Sequence, residues 1–131
     1  MQNEECRMQN EMLDAPDLRS RTKQFGLRVI RLFQSLAKRD DVCQVLSRQM
    51  LWSGPSVGAQ YREGCRSRST AEFTSKLSSA LQELDETAYW FEMLVEAKIV
   101  LDRKLADLMK EADELIAILV ASINTAKRRS E

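Results

Sequence analysis

The chain has 131 residues, of which 44% are apolar and 31% are charged, with 20 basic residues, 20 acidic residues and no histidine. This length suits one domain that can bury a core without metal or disulfide staples. The absence of histidine removes the commonest general base and zinc ligand, and it excludes Ser-His-Asp and Cys-His nucleophile arrangements within one chain. We therefore expect no enzymatic activity, no metal site and no cofactor.

The cysteines and the hydropathy pattern predict where in the cell the protein is found. Cys6, Cys43 and Cys65 form no CxxC pair, and an odd number without close spacing is typical of a reducing cytosol rather than of a disulfide scaffold. No apolar run approaches the roughly 20 residues that span a bilayer. The N-terminus also lacks the pattern of a secretory signal. The sequence predicts a cytoplasmic protein that does not enter a membrane.

The spacing of apolar residues predicts the fold. Four Gly and two Pro leave little turn punctuation, which favours a few long helices. Apolar residues recur at spacings of three and four, and the helices are expected over about residues 18–38, 41–66, 70–98 and 102–127. Because the joins are short, successive helices should be antiparallel neighbours. We expect an all-α, antiparallel up-down-up-down four-helix bundle over residues 17–131, after a flexible N-terminal segment, 1–16.

The first two predicted helices start at acidic residues, and the second contains a proline. Asp17 is suited to cap the first helix, and Asp40-Asp41 ends that helix and caps the second. Pro55 lacks an N–H and clashes with the preceding helical turn. We therefore expect one kinked helix with a break at Ser53–Pro55.

The third and fourth predicted helices have other signals. Ser69-Thr70-Ala71-Glu72 has the pattern of a capping box, in which the Ser hydroxyl and the Glu carboxylate each accept a backbone N–H. The fourth helix has a second apolar strip beside its core seam. A monomer rarely exposes such a patch, so we expect an oligomer interface at Met109, Ile116, Val120 and Ile123. The alternative is that the strip belongs to a deeper core.

Basic residues concentrate in the first half of the chain. Residues 18–70 contain eleven Lys or Arg against three acidic residues, a net charge of +8. On the first helix, one edge carries Arg21, Arg28, Arg31 and Lys38; on the second helix, the candidates are Arg48, Arg62, Arg66 and Arg68. Such a surface is suited to bind the phosphates of RNA or DNA. The alternative is an ordinary solvated face, or one that pairs with acidic residues of the third helix.

The acidic and aromatic residues of the third helix have competing interpretations. The acidic residues lack the histidine partners that a ferritin-like metal site requires. These residues are Glu83, Asp85, Glu86, Glu92 and Glu96. Pairing with arginines of the second helix fits them better. Tyr89, Trp90 and Trp52 are expected to pack between helices or at a subunit interface. Stacking on unpaired bases is the alternative for these rings.

One stretch of the chain resembles a known family. Residues 48–63, RQMLWSGPSVGAQYRE, are similar to a block of the bacterial four-helix-bundle proteins encoded in 23S rRNA intervening sequences. The resemblance continues through residues 66–77, 85–90 and 114–119 and covers about residues 20–128. Two positions depart from the family pattern: Trp52 stands where Arg is frequent, and Gln60 stands where Asn is usual.

The resemblance implies an antiparallel four-helix bundle that assembles as a homopentamer. It also links the chain to the accessory variability proteins of diversity-generating retroelements, which form basic pentamers and bind nucleic acid and a reverse transcriptase. Arg48, Arg62, Arg66 and Arg68 occupy the matching basic positions. We expect a non-enzymatic oligomer that binds RNA or DNA, with a reverse transcriptase as a further partner; the competing hypothesis is a protein-interaction scaffold without a nucleic-acid role.

Overall fold

The computed structural model describes residues 2–12, 17–36 and 38–131, and within them the chain forms helices and no strand. The five helices in these ranges are α1 (Glu4–Met12), α2 (Leu18–Leu36), α3 (Asp41–Cys65), α4 (Thr70–Glu96) and α5 (Asp102–Arg129). The expected all-α class is confirmed. The ends of α2 to α5 lie within two residues of the predicted bounds. None of the described helices is long and apolar enough to cross a membrane.

The starts of α2 and α3 are fixed by aspartate side chains. Asp17 Oδ1 accepts a hydrogen bond of 2.7 Å from the N–H of Arg19, and Asp40 Oδ1 accepts one of 2.9 Å from the N–H of Cys43. The first N–H groups of a helix lack partners within the helix, so these carboxylates satisfy donors that would otherwise need water. Both caps were predicted from the sequence.

The start of α4 has a modified capping box. The N–H of Glu72 donates to Ser69 Oγ over 3.1 Å, as expected. The Glu72 carboxylate, however, accepts from the N–H of Arg68 at 3.0 Å, one residue before the predicted donor. The two hydrogen bonds of Glu72 therefore go to two consecutive residues, Arg68 and Ser69, instead of to Ser69 alone.

The core lies between the apolar faces of α2 to α5. Its largest fully buried side chains include Phe25, Tyr61, Phe73 and Phe91, and the rings of Phe25 and Phe91 meet edge to face with centroids 6.2 Å apart. Edge-to-face aromatic pairs add to the free energy gained by burial. This contact joins α2 to α4 across the interior.

The second long helix is not interrupted at the position where the sequence predicts a kink with a break. α3 continues as an α-helix through Ser53–Pro55. Pro55 removes one backbone hydrogen bond, but Met50, Val57 and Tyr61 on both sides of it are fully buried. Burial of this common face holds both halves of α3 in register and offsets the lost bond.

Glycine and proline bring α2 and α3 into close contact. A Cβ atom added at Gly26 would lie 3.1 Å from Pro55 Cα, and one added at Gly58 would lie 3.3 Å from the carbonyl carbon and oxygen of Thr22. The two helices thus meet backbone against backbone at these positions. The pairing of 26 with 55 and of 22 with 58 shows that α2 and α3 run antiparallel.

The N-terminal segment contains a tethered helix, in contrast to the flexible tail expected over residues 1–16. Cys6 in α1 forms a disulfide with Cys65 at the end of α3, which corrects the expectation that the cysteines are reduced. The N–H of Asn3 donates to the Cys65 carbonyl, and Arg129 Nη1 lies 2.9 Å from Glu5 Oε2. Sequence spacing could not reveal the bond, since the cysteines are 59 residues apart. Met1 and residues 13–16 lie outside the described residues.

Gly54→Ala is expected to destabilise the protein, although alanine is normally the better helix former by about 1 kcal/mol. The new Cβ would lie 2.7 and 2.9 Å from the two Cγ atoms of Val29, and overpacking of this kind costs roughly 1–3 kcal/mol. Urea denaturation measures the change. The double variant with Val29→Ala should lose less stability than the two single variants added together. A Gly54→Ala protein as stable as the parent would contradict this packing.

Removal of the Cys6–Cys65 disulfide is expected to lower the free energy of unfolding by about 2–4 kcal/mol, because the bond closes a long loop. Cys6→Ser should also speed hydrogen exchange of the α1 amides, while the amides around Tyr61 stay protected. Cys43→Ala is the matched control, because Cys43 is the buried free cysteine of the described residues. Thiol titration of the denatured, unreduced protein should detect one thiol; three would contradict the bond.

Candidate nucleic-acid interface

A groove of about 470 Å³ lies between α2 and α3. Its floor includes Gly26, Pro55 and Gly58, the positions where the two helices meet closely, and its α3 wall includes Ala59. The basic side chains along it are Arg19, Lys23 and Arg62. Arg66 extends this set, because it lines a smaller adjoining cleft together with Arg19 and Arg62. We call the combined surface the α2–α3 groove.

Local geometry explains why these side chains converge. Arg19 and Lys23 are one turn apart on α2 and project from one face of that helix. Arg62 lies in the last turn of α3, and Arg66 follows it as the C-cap residue of α3. Because α2 and α3 are antiparallel, the start of α2 lies beside the end of α3. The two pairs therefore meet at one end of the groove, and the small residues of its floor leave the space between them open.

The cations of the α2–α3 groove have no carboxylate partner among the residues that the structure describes. Within those residues, the ion pairs of 4.0 Å or less involve other basic side chains. Glu63, the one acidic residue along the groove, lies 2.9 Å from Nζ of Lys76 on α4. Four neighbouring positive charges that form no ion pair among the described residues favour binding of an external anion.

The predicted pairing between arginines of α3 and acidic residues of α4 is not seen in the described part of the chain. Glu86 instead accepts a hydrogen bond of 3.2 Å from Nε1 of Trp90 on its own helix. Burial raises the pKa of Glu83, and the nearby Glu86 raises it further. The acidic side of α4 therefore does not neutralise the basic residues of α3.

Arg21, a predicted nucleic-acid contact, has a structural role. Its guanidinium binds the carboxylate of Glu111 on α5 in bidentate fashion, with Nε 3.2 Å from Oε2 and Nη2 2.5 Å from Oε1. Glu114 lies at 4.0 Å. The hydrogen bond to Glu111 is the main cause that raises the pKa of Arg21. Arg21 joins α2 to α5 and is not free for phosphate.

The other predicted basic contacts are distributed over three places. Arg68 lines a second cleft with Arg66, where α1 contributes Glu4 and Glu5. Arg48 is exposed on α3, four turns before Arg62. On α2, Arg28 is half-buried and Arg31 exposed, and neither lines the α2–α3 groove.

Sequence reasoning missed Arg19 and Lys23. The heptad spacing of Arg21, Arg28 and Arg31 drew attention to one edge of α2, but the edge beside α3 is the one that carries Arg19 and Lys23. Their spacing of four residues, close to the start of α2, could have identified them as a basic pair from the sequence. The pattern on one helix does not reveal which neighbour each edge faces.

The apolar strip predicted on α5 lies partly inside the chain's own core. Ile123 is 6% exposed, and Met109 and Ile116 are half-buried against the core. Val120 is 40% exposed. Ile123 therefore contributes to the core of its own chain, and the interface between copies stays a prediction.

Two aromatic side chains on different helices are strongly exposed. Trp52 on α3 is 76% exposed and Tyr89 on α4 is 52% exposed, although both were expected between helices or subunits. Trp90 is half-buried and packs against the core. The ring of Tyr89 meets that of Trp90 edge to face at 5.2 Å, whereas Trp52 has no aromatic neighbour among the described residues.

Comparisons with known proteins identify relatives of this fold. Residues 17–121 match the family model of the 23S rRNA-intervening sequence protein. A crystal structure from Bacteroides thetaiotaomicron, a protein with unknown function from the S23 ribosomal protein family, matches with a TM-score of 0.74 and 30% identity. That match covers 80% of this chain and 96% of the other. No curated protein matches this sequence.

Replacement of Arg21 by Met is expected to lower the free energy of unfolding by about 1 kcal/mol, the upper end of the range for ion pairs near the surface; the side chains of Arg21 and Glu111 are 21% and 19% exposed. The physical reason is loss of the bidentate contact with Glu111. Arg62→Met is the matched control, because Arg62 forms no ion pair with a carboxylate of the described residues. Chemical denaturation of both variants measures the difference; equal stabilities would argue against the structural role of Arg21.

Proposed function

The chain belongs to the 23S rRNA-intervening sequence protein family, and we propose that it is a non-enzymatic protein that binds RNA or DNA through the α2–α3 groove. The observation that carries this proposal is the convergence of Arg19, Lys23, Arg62 and Arg66 without carboxylate partners in the described structure. The family name also associates its members with ribosomal RNA genes.

Phosphate backbones match the chemistry of this groove. Lys and Arg that neutralise phosphates release counterions, and this release supplies most of the free energy of sequence-independent binding. The guanidinium group can also bind two phosphate oxygens at once. Three arginines and one lysine over two facing helices form a continuous track rather than a single anion pocket.

The scaffold that we propose for this site is an up-down-up-down four-helix bundle of α2 to α5. It is supported by the antiparallel contacts of α2 with α3 and by those of α3 with α4, where Ser53 meets Thr87 and Glu63 meets Lys76. In such a bundle, α1 is an addition at the end that carries Arg66.

We further propose that copies of the chain assemble, with a pentamer as the expected size. Exposed apolar side chains support assembly: Val120 on α5, and Val42 and Val45 on α3, which are 62% and 60% exposed. These valines also favour the alternative function, a protein-interaction scaffold. Service as an accessory factor to a reverse transcriptase rests on the resemblance of residues 48–63.

Replacement of Arg62 by Ala is expected to weaken binding to a short RNA or DNA several-fold at about 50 mM salt and to lower the salt slope of log K by about one unit. Fluorescence anisotropy with a labelled oligonucleotide measures both quantities. Arg103→Ala is the charge-matched control, since Arg103 is exposed on α5 away from the groove.

Two results would refute this function. The parent protein would fail to bind at micromolar concentration and low salt, or Arg103→Ala would weaken binding as much as Arg62→Ala. The second result would mean that net charge, and not the α2–α3 groove, governs binding.

Replacement of Val120 by Asp is expected to dissociate the assembly, because a carboxylate buried between subunits loses its hydration. Sedimentation velocity measures the subunit number. Val45→Asp is the matched control on α3. If Val45→Asp dissociates the assembly and Val120→Asp does not, the interface lies on α3 instead of α5.

A further inference from the structure

Trp52 lies on the same helical row that walls the α2–α3 groove. Residues spaced alternately by four and three form one row along a helix. On α3 this row consists of Arg48, Trp52, Pro55, Ala59 and Arg62, and the C-cap residue Arg66 follows it. Pro55, Ala59 and Arg62 line the groove itself. Trp52 does not line the groove, but it is the next exposed residue of this row beyond Pro55, on the side away from the end where the cations converge.

The surroundings of Trp52 are polar. Its neighbours one turn away on the helix are Arg48, Gln49 and Ser56, together with Pro55. The exposed Val45 is two turns away. An interface with another protein would be centred on contiguous apolar area, whereas an exposed ring one turn from Arg48 and on the same row as Arg62 fits a ligand that offers both a flat face and negative charge.

We propose that Trp52 is a stacking platform for an unpaired base, so that the α2–α3 groove prefers single-stranded nucleic acid to a duplex. This inference rests on the proposed function. At a rise of about 1.5 Å per residue, Trp52 lies roughly 15 Å along α3 from Arg62. A strand a few nucleotides long spans that distance, with phosphates at the arginines and a base on the ring.

A duplex cannot use this platform. Base faces inside a duplex are covered by their neighbours, whereas single-stranded bases can be splayed out and stacked on aromatic side chains. Stacking tolerates any base, because every base has a π face. The ring thus adds affinity for single strands without sequence specificity, and Arg48, one turn further on, can bind the next phosphate.

The test compares single-stranded and duplex oligonucleotides of equal length, by anisotropy, with Trp52→Ala, Trp52→Phe and Tyr89→Ala. Trp52→Ala should weaken single-strand binding about fivefold or more and leave duplex binding unchanged. Trp52→Phe should retain most of the affinity. Tyr89→Ala, the matched loss of an exposed ring on α4, should have no effect.

Fluorescence gives an independent readout. The chain has two tryptophans, so Trp90→Phe leaves Trp52 as the single reporter. Single-stranded oligothymidylate should quench its emission, and a duplex at the same degree of saturation should not.

These experiments distinguish failure of the stacking inference from failure of the proposed function. If Arg62→Ala weakens binding but Trp52→Ala leaves the single-strand preference intact, the stacking inference is wrong and the proposed function stands. If Trp52→Ala changes the subunit number in sedimentation, the ring belongs to a contact between copies and the inference is overturned. If the parent protein binds no oligonucleotide, both proposals fall.

Discussion

The close approach of α2 and α3 is the constraint on which the rest of the structure depends. Gly26 and Gly58 leave no room for a Cβ atom without displacing the backbone of the facing helix, and Gly54 leaves none without displacing the Val29 side chain. Gly26 and Gly58, together with Pro55, also form the floor of the α2–α3 groove. Packing and site therefore have one cause: the residues that let the helices touch also leave the flanking cations at an open edge.

Some basic residues of α2 and α3 form ion pairs within the chain, and others stay exposed at the α2–α3 groove. Arg21 forms an ion pair with Glu111 and so joins α2 to α5. Lys76 forms an ion pair with Glu63, the acidic residue among those that line the groove. After these pairs form, the remaining cations of the groove lack partners in the described residues. Partly exposed pairs stabilise a fold modestly, so this division matters more for the electrostatic field at the groove than for stability.

Helix α1 shows how a short segment depends on tertiary contacts. Nine residues are too few for a stable isolated helix in water. The disulfide to Cys65, the hydrogen bond from Asn3 and the ion pair of Glu5 with Arg129 hold it in place. These contacts bring acidic residues beside Arg66 and Arg68, so α1 sets the limit of the basic surface at this end.

The sequence determined the class, the family and the course of the long helices, because periodicity and caps such as Asp40 and Ser69 act over one or two turns. It did not determine which edge of α2 faces α3, so it selected Arg21 and missed Arg19. It also placed a break at Pro55 and left Cys6 and Cys65 unpaired. Those features depend on burial against a neighbouring helix and on distances between residues far apart in sequence, which only the packing of the helices decides.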